Sequence, residues 1–119
     1  MLRLKDAGIE NPSLERLRAH LSVEERQEEL EVEIRREMAS ALGRASVKVD
    51  MALLELALAE KALEEEASEA RVEAYRAARK KAYDARLDLR IHREAIGIRH
   101  NTGLDRDYPI PPVHPAAAR

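Results

Sequence analysis

The sequence predicts an all-α protein, built as a long antiparallel helical hairpin or small bundle with coiled-coil-like heptads. Apolar residues recur at helical spacing from Leu30 to Ile96, without the alternation typical of strands. Charge is also segregated, since residues 24–69 carry 14 acidic and 6 basic side chains and residues 71–100 carry 4 acidic and 9 basic ones. Opposite charges on helix flanks favour particular helix pairings, so this pattern first indicates assembly.

Composition limits both the core and the function. At 119 residues the chain favours one domain, and the lack of Phe and Trp predicts a thin aliphatic core. Cysteine is absent, which excludes disulfides and cysteine-ligated metal sites. No signal-peptide region is apparent at the N-terminus, and the longest apolar stretch, residues 51–59, is too short for a bilayer. We therefore expect a cytoplasmic protein that does not bind membranes.

Three signals divide the first part of the chain into expected helices. Leu14, Leu17 and Leu21 follow Asn11-Pro12 and indicate a short amphipathic helix. Ser22-Val-Glu-Glu25 has the form of a capping box, which predicts a new helix start, and Gly43 marks its expected end. Residues 1–104 are then expected to form a single helical domain, with helices at about 14–21, 23–42, 45–66 and 69–100.

The predicted interaction seam consists of residues that recur every seven positions on the last two helices: Leu42, Val49, Leu56, Leu63, Tyr75, Ala82, Leu89 and Ile96. Leu53, Leu54 and Leu58 widen the apolar face beyond what one partner helix covers. We therefore expect a homo-oligomer, with a dimer favoured. A turn is expected within residues 64–70, although the alternative of one uninterrupted helix also fits the apolar spacing.

The last helix is expected to end near Arg99–Asn101, with Gly103 as a left-handed cap. Residues 105–119 are expected to form an extended Pro-rich tail, because four prolines lie within residues 109–115. Tyr108 and Ile110 supply apolar anchors, which favours a tail laid on its own bundle or on a neighbour. The alternative is a protein partner that binds one of the two P-x-x-P matches.

Four arginines of the basic helix are candidates for phosphate contact: Arg79, Arg86, Arg90 and Arg93. A nucleic-acid-binding accessory protein is therefore the alternative function. Three of the four recur at seven beside the seam, which favours salt bridges to Glu55 or Glu60 on the preceding helix. No zinc pattern or aromatic stacking platform accompanies the basic residues.

No catalytic, cofactor-binding or metal-binding constellation is predicted. Asp84 and His92 lie about 12 Å apart along a helix axis, too far to share one ion, so Asp88 and His92 are interpreted as a local pair. The Glu-x-x-His pattern of di-iron bundles is absent. The sequence thus predicts a non-enzymatic helical interaction or assembly protein that self-associates through its Leu/Ala heptad seams.

Overall fold

The computed structural model describes residues 12–118, whose regular elements are all helices and which contain no strand, so the predicted all-α class is confirmed. Its elements are helix α1 (Pro12–Glu65), helix α2 (Glu69–Ala95), the single-turn helix α3 (Leu104–Asp107) and a 3-10 helix (Pro115–Ala117). The two long helices pack against each other. By its internal contacts the chain divides into a first unit that ends at Glu37 and a second unit that begins at Met38.

In the first unit, residues 12–37 form the N-terminal part of α1, and every one of them is exposed. Pro12 occupies the first helical position, where its missing N–H costs nothing and its fixed φ suits the helix. Glu, Arg and Leu, which are strong helix formers, dominate the segment. Its helix therefore depends on local propensity, because none of its described side chains is buried.

Helix α1 runs without interruption through Ser22 and Gly43, where the sequence predicted two helix boundaries. A capping box acts only when the preceding residues are not helical, and residues 12–21 already supply the carbonyl partners. Gly43 keeps an ordinary backbone, since only Gly97 has a positive φ among the residues described. A helical glycine costs about 1 kcal/mol relative to alanine, which is too little to end a helix of strong formers.

Residues 66–68 separate α1 from α2, inside the interval in which the sequence predicted a turn. Ser68 has an extended backbone, and its hydroxyl accepts a hydrogen bond from the Arg71 N–H at 3.2 Å. The Arg71 guanidinium in turn donates to the Ala62 carbonyl at 2.6 Å. The Ser68 side chain thus caps the start of α2, and the Arg71 side chain supplies a donor to a carbonyl near the end of α1. The turn therefore requires neither glycine nor proline.

Helix α2 ends at Ala95 rather than near residue 100, and the left-handed glycine is Gly97, with a φ of 94°. The Ile98 N–H reaches back to the Arg93 carbonyl at 2.9 Å, which is the long hydrogen bond of a Schellman motif. Gly103, the predicted cap, has a φ of −77° and lies at the start of α3 instead.

The C-terminal region, expected to be extended from residue 105, contains two short helical turns. Helix α3 is the first, and the 3-10 helix is the second. Pro115 begins the 3-10 helix with a fixed φ, and the His114 Nδ1 accepts from the Ala116 N–H at 3.1 Å. Between the two turns, residues 108–114 have no regular structure.

The core of the second unit consists of two clusters to which both long helices and the C-terminal region contribute. The first contains Ala52, Leu56, Leu63, Tyr75, Ala82 and Ala117. The second contains Ala45, Val49, Leu89 and Leu104. Four of these ten residues are alanine, so the core is as thin as the composition predicts. Each buried leucine consequently carries a large share of the apolar burial.

Replacing Leu56, which is 1% exposed, by Ala should lower the free energy of unfolding by about 2–5 kcal/mol, because a cavity replaces packed methyl groups. Leu87 on α2 is 55% exposed, and Leu87→Ala should change stability by less than about 0.5 kcal/mol. Urea unfolding followed by circular dichroism measures both. Equal midpoints for the two variants would contradict the packing described here.

Candidate interaction site

Three arginines of α2 each donate a hydrogen bond to a backbone carbonyl of the C-terminal tail, residues 108–117. Arg86 binds the Tyr108 carbonyl at 3.1 Å, Arg79 binds that of Pro111 at 3.2 Å, and Arg76 binds that of Ala117 at 3.3 Å. We call these three residues the arginine row. Because later tail residues meet earlier helix residues, the tail runs back along α2.

The proline content of the tail explains why arginine suits this role. Prolines lack a backbone N–H, so this segment has few donors with which to build a helix or strand. Its carbonyl oxygens still require partners where they are partly buried. Arginine carries five N–H donors, no acceptor and a permanent charge, so it satisfies such carbonyls without competing for the same donors.

Tyr75 is the polar centre of the tail contact and is fully buried. Its hydroxyl accepts a hydrogen bond from the His114 N–H at 3.0 Å and donates to the Pro112 carbonyl at 3.5 Å. The Tyr75 ring also meets the His114 ring edge to face, with centroids 6.2 Å apart. A buried tyrosine hydroxyl needs a partner, and here the tail supplies both of them.

Apolar side chains complete the tail contact. Ala117 is 5% exposed and belongs to the first core cluster, against which Ile110 also packs. Tyr108 packs against the second cluster, beside the buried Leu104. The two anchors named from the sequence, Tyr108 and Ile110, therefore lie on the chain's own helices. Leu104 and Ala117 were not singled out from the sequence, because neither belongs to a repeating apolar pattern.

Tyr83 orients two members of the arginine row. The guanidinium carbons of Arg79 and Arg86 lie 5.0 and 5.1 Å from the centroid of its ring. Arg79 also donates to the Tyr83 hydroxyl at 3.3 Å. Contacts between guanidinium groups and an aromatic ring restrict the arginine rotamers, so less entropy is lost when the tail docks.

Ion pairs of α2 differ from those expected. Lys81, and not an arginine, bridges to Glu55 on α1, at 2.9 Å. Arg86 contacts Asp105 at 3.5 Å, and its side chain is only 16% exposed. Lys80 and Asp84 form an exposed pair at 2.8 Å, in which the hydrogen bond and then the charge of Asp84 raise the pKa of Lys80. Such exposed pairs contribute little to stability.

The four candidate phosphate contacts have separate surroundings. Arg79 and Arg86 face the tail, and Arg90 pairs with Glu94 at 3.0 Å. Arg93 is half-buried, and its Nε has no hydrogen-bond partner among residues 12–118. Two of the four guanidinium groups are thus engaged by backbone carbonyls rather than presented together to solvent.

The predicted seam is used within the chain. Six of its residues are buried in the second unit: Val49, Leu56, Leu63, Tyr75, Ala82 and Leu89. Leu42 is half-buried against the second cluster, and Ile96 is 38% exposed just beyond α2. The seam therefore joins α1 to α2 and leaves little of its apolar surface for another molecule.

A second apolar stripe lies on the opposite side of α1. Its members, which we call the outer stripe, are Val47, Met51, Leu54 and Leu58, and they are 56 to 61% exposed. At 100° per residue they point roughly away from the core residues Val49 and Leu56. Large apolar groups on the exposed side of a paired helix indicate a surface for a further partner.

Between α2 and residues 99–105, a cavity of about 580 Å³ is lined by side chains of both charges, including Arg86, Arg90, Asp84 and Asp105. His92 donates from Nδ1 to the Asp88 carbonyl at 2.8 Å, as a local helix contact.

Within residues 12–118, no three His, Asp or Glu side chains cluster closely enough to hold a metal ion. Nor does any helix of that region have an apolar stretch long enough to cross a membrane.

Comparison with known proteins finds no similarity to report: no protein-family model, curated protein or solved structure matches this chain.

Tyr75→Phe should lower the free energy of unfolding by about 1–3 kcal/mol, because the His114 N–H and the Pro112 carbonyl lose their common partner. Tyr83→Phe is the matched control, since the Tyr83 hydroxyl is near the surface and accepts an exposed hydrogen bond from Arg79 at 3.3 Å. That variant should change stability by less than about 0.5 kcal/mol. Equal losses in urea unfolding would show that the tail contact is not centred on Tyr75.

Arg86→Gln should likewise destabilise the chain by about 1–3 kcal/mol, because it leaves the Tyr108 carbonyl without its charged donor. Arg90→Gln removes an exposed pair and should cost less than about 0.5 kcal/mol. Nucleic-acid binding is measured on the same proteins at about 150 mM salt. Tight binding that both variants weaken equally, with stability unchanged, would contradict the role assigned to Arg86.

Proposed function

We propose that this chain is a non-enzymatic helical assembly protein, in which the tail-clamped pair of long helices presents the outer stripe of α1 to a partner. The observation that carries the proposal is the exposure of the four large side chains of that stripe. Apolar groups of this size, placed in a heptad-like row, are a usual basis for helix-to-helix association.

The contacts of the second unit support an antiparallel hairpin with coiled-coil-like heptads as the scaffold. Later residues of α1, such as Leu63, share a cluster with the early α2 residue Tyr75. The earlier residue Val49 shares a cluster with the late residue Leu89. Buried residues recur at seven on both helices, as a heptad seam requires.

The proposed assembly surface is the outer stripe and not the heptad seam named from the sequence, although Leu54 and Leu58 belong to the wider apolar face on which an oligomer was expected. The seam residues are already packed between α1 and α2, so self-association through them would require the hairpin to open. The outer stripe is available while the hairpin and its tail remain in place. The arginine row and Tyr75 then have a structural role, which is to hold the scaffold that positions the stripe.

The alternative of a nucleic-acid accessory protein has weaker support. Phosphate binding needs several cationic groups presented together. Arg79 and Arg86 bind the tail, Arg90 pairs with Glu94, and acidic residues such as Asp84 lie on the same helix. A protein partner that binds the P-x-x-P matches would likewise have to displace the tail from α2.

Leu54→Glu should abolish assembly without unfolding the chain, since Leu54 is 61% exposed and the new charge would be desolvated only in an interface. Leu87→Glu, at a residue 55% exposed on α2, should leave assembly intact. Light scattering should give a mass above the 13.5 kDa of one chain for the wild type and for Leu87→Glu. For Leu54→Glu it should give the mass of one chain.

Two outcomes would count against this proposed function. A wild-type chain that stays at 13.5 kDa up to sub-millimolar concentration does not assemble. Alternatively, an assembly that Leu54→Glu leaves intact uses some other surface. Circular dichroism and melting temperature confirm that each variant remains folded.

A further inference from the structure

We infer that the occupant of the outer stripe is the outer stripe of a second copy, docked antiparallel, which makes the assembly a two-fold symmetric dimer. This inference rests on the proposed function and adds its partner, direction and register. A two-fold interface uses the same patch on both subunits, so the patch must be complementary to itself. The spacing and the flanking charges of the stripe both meet that condition.

The spacing of the stripe reads the same in both directions. Val47, Met51, Leu54 and Leu58 are separated by four, three and four residues. An antiparallel copy therefore places Val47 opposite Leu58 of the second copy and Met51 opposite Leu54, and the same pairs recur on the other side of the axis. All four positions are filled by large apolar groups, so every layer of the interface is apolar on both sides.

The flanking charges select the antiparallel direction. Lys48 and Glu55 are exposed on one flank of the stripe, and in the antiparallel register Lys48 of each copy faces Glu55 of the other. Two opposite-charge contacts result. A parallel, in-register dimer would instead bring Asp50 of one copy next to Glu55 of the other, on both sides. Like charges facing each other across a seam disfavour that arrangement.

The ends of the stripe limit the contact to four layers. Arg44 precedes the stripe and Lys61 follows it, both at positions that continue the heptad row. In the antiparallel register Arg44 of each copy lies opposite Lys61 of the other, so a like-charged pair ends the apolar contact on each side. On the other flank, the small side chain of Ala57 faces Asp50 of the second copy, which introduces no repulsion. The geometry therefore describes a short dimer interface with defined ends, and not a continuous filament seam.

Charge exchange between two single variants tests the register. Lys48→Glu alone creates two Glu–Glu contacts across the dimer, and Glu55→Lys alone creates two Lys–Lys contacts. Each should raise the dimer dissociation constant roughly tenfold or more. An equimolar mixture should form a heterodimer with two opposite-charge contacts, and its dissociation constant should return to within about threefold of wild type.

Isotopic labelling of one variant identifies the heterodimer by native mass spectrometry. Glu55 also accepts from Lys81 within its own chain, at 2.9 Å, and Glu55→Lys loses that bond both alone and in the mixture. A gain on mixing therefore reports only on the contact between copies. Leu30→Glu, at a residue 60% exposed in the first unit, serves as a control that should leave the dimer intact.

The outcomes separate this inference from the proposed function. Recovery on mixing supports the antiparallel register. If Leu54→Glu dissociates the assembly but mixing gives no recovery, the register is overturned and the proposed function stands. If Leu30→Glu dissociates the assembly instead, the contact lies in the first unit. The inference that two outer stripes bind each other is then overturned. A wild-type monomer overturns both.

Discussion

The buried hydroxyl of Tyr75 connects α1, α2 and the tail of the second unit. The Tyr75 ring lies in the first core cluster with Leu63 and Ala82, while the hydroxyl reaches the tail at His114 and Pro112. Two helices with alanine-rich faces cannot cover an aromatic side chain of this size and satisfy its hydroxyl. A third segment is therefore required, and the tail fills that role because its proline-limited backbone offers carbonyls that α2 can bind.

Much of the fold could be predicted from apolar periodicity, because six of the eight seam residues that recur at seven are buried. The boundaries could not all be predicted in this way. Ser22-Val-Glu-Glu25 has the sequence of a capping box, but whether Ser22 caps a helix depends on the conformation of the residues before it. Both Gly97 and Gly103 are glycines that could end a helix, and residue type alone does not decide between them. Gly97 takes the left-handed conformation that ends α2, and Leu104, which follows Gly103, is buried in the second cluster, a tertiary contact that the local sequence does not indicate.

The candidate site was harder to predict, since the same spacing serves two structures. Arginines spaced by seven beside an apolar seam suit salt bridges to a partner helix and also suit binding of a segment that returns along the helix. Lys81 forms the salt bridge with Glu55, whereas Arg79 and Arg86 donate hydrogen bonds to backbone carbonyls of the tail. Only the return path of the tail decides between these roles. The acceptor-rich, donor-poor composition of the tail is the one sequence feature that favours the observed result.

The two faces of α1 have different compositions, which suits one face for folding and the other for the proposed assembly. The inner face is filled by α2 and the tail, and it uses small residues such as Ala45 and Ala52 that allow close approach. The outer face has no small residue in its stripe, so a partner there meets methyl and methylene groups at every layer. Burying those groups favours association but not direction, because apolar burial is non-directional. In the proposed dimer, direction would then come from the flanking charges, because the arrangement of Lys48 and Glu55 is self-complementary in the antiparallel orientation only.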